Sequence, residues 1–231
     1  MNCDPDFWWN WPVDVGVAIG TLLAVAAALF GPWFQSRFFP PILTLELVSK
    51  RGERTPINGT NPEGYEGKST ARFYHLRVSN KRRRASANNT LVYMTRIEER
   101  IEGIHYQEMW TGNMPLGWRH PNVFSGGQIV GPHVDCDLFS ITYGVWSHPG
   151  FPGMGSTTEH PYLALYPVSQ ANNLARYFHR AGPFDMRLTL QARSNEADSK
   201  IYIVTINWTG IWAEDDKEMT DNLSVILAEL S

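Results

Sequence analysis

The stretch ARFYHLRVSN, residues 71–80, alternates Tyr74, Leu76 and Val78 with Phe73, His75 and Arg77. Successive side chains of an extended backbone point to opposite faces, so this period of two predicts a half-buried β-strand. Residues 90–98 alternate again, Leu91, Tyr93, Thr95 and Ile97 against Val92, Met94 and Arg96, and residues 42–48 put Leu43, Leu45 and Leu47 on one face. Farther along, 104–111, 137–145, 162–168, 186–192 and 200–208 are each of strand length and rich in β-branched or aromatic residues. About eight strands, separated by Gly-, Pro- and Asn-rich connections and with no helix between them, predict an antiparallel sandwich rather than a βαβ plan. Residues 50–70 read as a long loop. Only the tail, 215–230, predicts a helix: Asp215 or Asp216 can cap it, and Met219, Leu223, Ile226, Leu227 and Leu230 follow a helical stripe.

The run from Tyr74 to Asn80, a short basic turn, Ala85 to Ala87 and a further strand at Leu91 resemble the strand-turn-strand signature of bacterial immunoglobulin-like sandwich modules. The resemblance covers some 25 residues. The whole chain is also similar to uncharacterised bacterial single-pass membrane proteins with an aromatic N-terminus, one span and an immunoglobulin-like β-sandwich. That resemblance implies the fold and the anchoring, and carries no activity with it.

Ahead of the strands, residues 15–34 read VGVAIGTLLAVAAALFGPWF, and no charge occurs between Val15 and Ser36. About 20 apolar residues are what an α-helix needs to cross the hydrocarbon core. A secretory signal peptide would start with basic residues and end at a cleavage site; this start carries Asp4, Asp6 and Asp14, and the exit runs into Phe38 and Phe39. Trp8, Trp9 and Trp11 before the segment, and Trp33 and Phe34 at its end, match the aromatic belts that settle at headgroup depth. The division expected is an aromatic and acidic tail (1–14), a transmembrane helix (15–36), a linker (37–41), a β-sandwich (42–212) and a C-terminal helix (213–231). Arg37, Lys50, Arg51 and Arg54 follow the segment while three Asp precede it, so the positive-inside rule predicts a cell inner membrane protein with its N-terminus outside and its large domain cytoplasmic.

Within that helix Gly16, Gly20, Ala24 and Ala28 recur every four residues. Helices in lipid associate where small residues let backbones approach, so this row is a candidate helix-packing interface. A second candidate is the basic patch Lys81, Arg82, Arg83 and Arg84, suited to anionic headgroups or an acidic partner. The net charge of -3 and the lack of a wider basic surface argue against nucleic acid.

Cys3 and Cys136 fall on opposite sides of the expected membrane, which excludes a disulfide between them. His133-Val134-Asp135-Cys136-Asp137 gathers potential metal ligands, but in an extended segment His133, Asp135 and Asp137 share one side and Cys136 faces the other, and no second cluster completes a site. No nucleophile elbow, P-loop, zincin or dinucleotide motif is present. The expectation is therefore a non-enzymatic membrane-anchored accessory or scaffolding subunit without catalytic residues, metal or cofactor. It would bind other integral membrane protein subunits and membrane lipid, with a respiratory or photosynthetic complex as one natural setting. The alternative is a membrane-bound ligand sensor or metal-dependent enzyme with a site in the loops of 114–160, near His105, His120, His133, His148 and His160.

Overall fold

The computed structural model describes residues 7–60, 66–82, 86–101, 103, 105–119, 128–130, 132–143, 161–168 and 180–230; for 7–14, 32–37, 57–60, 66–69, 128–129 and 180 it describes the backbone alone. A first helix, α1 (Phe7–Phe38), precedes β1 (Leu43–Leu47), β2 (Glu53–Thr60), β3 (Glu66–Asn80), β4 (Ala87–Ile101), β5 (His105–Pro115), β6 (Gln128–Val130), β7 (His133–Tyr143), β8 (Tyr162–Leu165), β9 (Arg180–Ala181), β10 (Phe184–Arg193) and β11 (Tyr202–Trp208). A short helix, α2 (Asp216–Asn222), leads into β12 (Leu223–Glu229).

The strands form two antiparallel sheets. The first runs β1-β3-β7-β8-β9 with β2 also on β3, and the second runs β12-β11-β10-β4-β5 with β6 also on β4. β1 pairs with residues 76–80 of β3 and β2 with residues 66–73, so the two share one edge of a single long strand while β7 takes the other. Between the sheets lies one core: Leu45, Tyr74, Leu76, Leu138, Phe139 and Ile141 from the first meet Met94, Ile97, Leu188, Leu190, Ile206 and Trp208 from the second. Tyr74 stacks on Phe139 with ring centroids 4.5 Å apart, and Phe184 meets Trp208 edge-on at 5.4 Å.

All eight expected strands are present, and β2, β6, β9 and β12 join them. β2 falls in the stretch expected to be a loop. Its Pro56 and Gly59 weaken a strand interior but are tolerated at a sheet edge, and among the described residues β3 is its only strand partner. The expected C-terminal helix is corrected too. Asp215 does cap a helix, its side chain accepting from the backbone N–H groups of Lys217 and Glu218, but that helix ends at Asn222. From Leu223 onward the chain pairs with β11 over seven residues, from Leu223 opposite Trp208 to Glu229 opposite Tyr202. Leu223, Val225 and Leu227 satisfy a two-residue period as well as Leu223, Ile226 and Leu230 satisfy a helical one. The free edge of β11 decides between them, because a helix would leave its backbone donors and acceptors unpaired.

One irregularity positions the outer face of the first sheet. The β3–β7 register shifts between Tyr74 and His75, with Tyr74 opposite Phe139 and His75 opposite Asp137. The extra residue, Leu138, resets the alternation. Leu138 and Phe139 both turn inward, and Ser140 and Thr142 take the side occupied by Asp135 and Asp137.

α1 is a 32-residue helix that runs through Gly31 and Pro32. Among the described residues no helix is long and apolar enough to cross a membrane. The expected span of 15–36 therefore rests on its sequence.

Candidate functional site

The expected helix-packing row lies on the described part of α1, where Gly16, Gly20, Ala24 and Ala28 are all exposed. A methyl group added at Gly16 or Gly20 would meet nothing within 4 Å. Leu22, Leu23, Leu29 and Phe30, each more than 60 % exposed, extend the apolar surface around the helix. The side chains of Trp8, Trp9, Trp11, Trp33 and Phe34 lie outside the described residues.

Of the basic patch, Lys81 and Arg82 are described and exposed, while Arg83 and Arg84 lie outside the described residues. The turn is not a hairpin tip, because β3 belongs to one sheet and β4 to the other. Its described residues, Lys81 and Arg82, stand beside the segment that follows α1. The Lys81 N–H donates to the Ile42 carbonyl at 3.0 Å, and the Arg82 guanidinium to the Pro40 carbonyl at 3.1 Å.

Sequence reasoning missed a network on the outer face of the first sheet. His75 is 5 % exposed, and its Nδ1 lies 2.8 Å from Asp137 across the β3–β7 ladder. Two residues on, Arg77 grips Asp135 through Nε at 2.9 Å and Nη2 at 3.1 Å. Residues 116–119, after β5, run beside β7 through the Asp137 N–H to Gly117 carbonyl bond at 2.8 Å and the Arg119 N–H to Asp135 carbonyl bond at 3.2 Å. From there Arg119 reaches both carboxylate oxygens of Glu53 on β2 and comes within 3.9 Å of Asp135. Glu53 in turn lies 3.7 Å from Nε2 of His75, whose ring stacks parallel to Phe73.

Burial raises the affinity of Asp135 for a proton, but the hydrogen bond and charge of Arg77, aided by Arg119 and His133, outweigh it and hold the carboxyl below its ordinary range. Both ring nitrogens of His75 face carboxylates, so the imidazole is oriented without being directed at a hydroxyl or thiol. Two guanidinium groups already neutralise the surrounding carboxylates, and among the described residues no group of three His, Cys, Asp or Glu is arranged to hold a metal ion. Cys136 faces the core, as the strand parity requires. Burial first, and then Asp137 and Asp135, push its thiol up, so it stays protonated and unreactive.

Of the histidines near the loops of 114–160, His105 stands on β5 of the second sheet and His133 on β7 of the first, while His120, His148 and His160 lie outside the described residues. A signal for the network existed in the sequence: parity puts Phe73, His75 and Arg77 opposite the core-facing Tyr74, Leu76 and Val78. Which residues meet them was not legible, because Glu53, Arg119 and Asp137 are distant along the chain.

A second node closes the far end of the sandwich. Arg72, 1 % exposed on the core side of β3, donates to Asp216 at 2.6 Å and to the Glu214 carbonyl at 3.0 Å. Arg54 pairs with Glu214, and Trp212 stacks on Tyr143 at 5.8 Å. The connection between β11 and α2 is thereby fastened to the first sheet. Comparison of the chain with protein-family models, curated proteins and solved structures finds no significant match.

Proposed function

We propose that the chain is a non-enzymatic, membrane-anchored accessory or scaffolding subunit, held in the cell inner membrane by α1 with the sandwich on the cytoplasmic side. The observation that carries this reading is the bare face of α1, where Gly16, Gly20, Ala24 and Ala28 are exposed beside large apolar side chains. Water stabilises such a surface poorly, whereas lipid accommodates it and a neighbouring helix can close on the small-residue row. The sequence of 15–34 supplies the length of a span, and Arg37, Lys50, Arg51 and Arg54 the orientation. The partners are other integral membrane subunits.

The order of the central strands supports an immunoglobulin-like assignment of the sandwich. β1-β3-β7 facing β11-β10-β4-β5 parallels strands A-B-E facing G-F-C-C′. The outer strand beside β7 departs from that plan, since β8 follows β7 in the chain where the corresponding strand D would precede it.

Extraction in mild detergent followed by native gel electrophoresis tests the function. The chain should migrate with partner subunits, and migration only as a free monomer would overturn the reading. Gly20→Leu is a clean variant, because a side chain there meets nothing within the chain itself. It should dissociate the complex by about tenfold, while the sandwich melts unchanged. Orientation needs an engineered thiol, since Cys136 is buried; labelling of Lys217→Cys from the cytoplasmic side alone would support the assignment.

A further inference from the structure

We propose that Lys81 and Arg82, which open the basic run 81–84, dock on anionic phospholipid headgroups of the leaflet through which the chain leaves the bilayer, so that the sandwich stands end-on to the membrane. The inference rests on the membrane reading of α1 and adds to it a lipid contact and an orientation.

Three hydrogen bonds join the basic turn to the segment after α1, and a fourth, from Arg82 N–H to the Asn80 side chain, closes the turn on itself. The Asn80 side-chain carbonyl accepts from the backbone N–H groups of Ile42 at 3.2 Å and Arg82 at 3.0 Å. Lys81 N–H reaches the Ile42 carbonyl, and the Arg82 guanidinium reaches the Pro40 carbonyl. Just before Pro40, Phe38 and Phe39 are each 57 % exposed, the type of side chain that settles at headgroup depth. One residue spans at most about 3.6 Å, so Pro40 and the guanidinium bound to it lie well within a Debye length of about 8 Å from that level. A cation at such a distance feels the surface potential of an anionic leaflet almost unscreened.

The charges elsewhere on the sandwich agree with this placement. Glu196, on the β10–β11 connection at the same end, is occupied by both the backbone and side-chain N–H of Asn88. Asp198 stands on that connection too, and Lys200 is paired with Glu229. At the opposite end, α2 and its approach carry Glu214, Asp215, Asp216, Glu218 and Asp221, of which Glu214 and Asp216 are paired with Arg54 and Arg72.

The test uses the full chain in nanodiscs, carrying Cys3→Ser and a donor dye on Ser86→Cys next to the turn, with an acceptor dye on the lipid headgroups. Adding phosphatidylserine to a phosphatidylcholine bilayer should raise energy transfer at this position and not from a control dye on Lys217→Cys, and salt should reverse the rise. Replacing the four cations by Gln should lower the ratio of docked to undocked domain about fivefold per charge removed. Replacing only the three Arg by Lys should retain the docking, because headgroups answer to charge and not to a bidentate fork. Circular dichroism of each variant excludes unfolding as the cause. Equal transfer in both lipids with the chain still co-floating with the bilayer would overturn the docking while leaving the anchor intact. Failure to co-float would overturn the anchor and the docking together. Loss of docking in the Lys variant, or tight binding of labelled RNA abolished by the Gln variant, would assign the turn to a protein or nucleic-acid partner instead.

Discussion

The two sheets treat their outer faces differently. On the first, polar side chains facing away from the core are themselves buried: His75, Ser140 and Thr142 are all at most 5 % exposed. Ser140 is hydrogen-bonded to the Tyr166 hydroxyl at 2.9 Å, and His75 lies inside the Arg119–Glu53–Asp137 network. On the second sheet an ion pair of the outer face remains wet. Arg96 meets Glu108 at 3.2 Å with both about half exposed, and Arg187 lies over the Tyr106 ring at 3.6 Å, with Arg100 beside the same ring. Polar groups removed from water must be satisfied by specific partners, whereas exposed pairs exchange freely with solvent. The outer face of the first sheet is therefore a specified surface, and that of the second a solubilising one.

Substitutions can break that comparison. The largest effect is expected inside the shared core, where neither outer face matters. Trp208→Ala, at a side chain 1 % exposed, should cost about 3–5 kcal/mol and lower the melting temperature by roughly 10 °C in a thermal scan. Next comes the first sheet's outer face. His75→Ala should cost about 2 kcal/mol, because it leaves Asp137 without its buried partner. The corresponding change on the second sheet, Arg96→Ala, should cost under about 1 kcal/mol. Equal losses by denaturant titration would remove the distinction between the faces.

An effect of similar size is on acid stability. Arg77 holds the folded-state carboxyl of Asp135 below its ordinary value of 3.8, so its contribution is complete above that value and disappears as pH falls through the lower folded one. Arg77→Ala should thus lower stability near neutral pH by about 1 kcal/mol and flatten the acid limb below about pH 4. An unchanged limb would show that Arg77 does not set the titration of Asp135.

The same contrast shows how far reading along the chain could go. Alternation at 71–80 places the core-facing residues of β3, because pleat parity is a local property. Within β4 the alternation read at 90–98 breaks at Thr95, where a bulge turns Ile97 to the core side with Val92 and Met94. It fails across β7, where the bulge at Leu138 reverses the parity and brings Phe139 and Ile141 inside. It also fails at β2 and β12, whose local preferences are weak or double and whose state is decided by the sheet edge each one meets. Arg72 combines both outcomes. Parity puts it with Tyr74 and Leu76 on the core side, but a guanidinium is tolerated there only because Asp216 and the Glu214 carbonyl arrive from the other end of the chain.

What the sequence by itself determined is the division into an apolar helix and a β-sandwich, together with most strands and the buried side of β1 and β3. These follow from hydrophobic periodicity, which is set by neighbours along the chain. Only the tertiary structure decided that the tail closes the second sheet as a strand, that the basic turn sits against the segment leaving α1, and that His75 lies among Glu53, Asp137 and Arg119. Each depends on which distant backbone edge or charge is present to satisfy a hydrogen bond, and no local pattern encodes that partner.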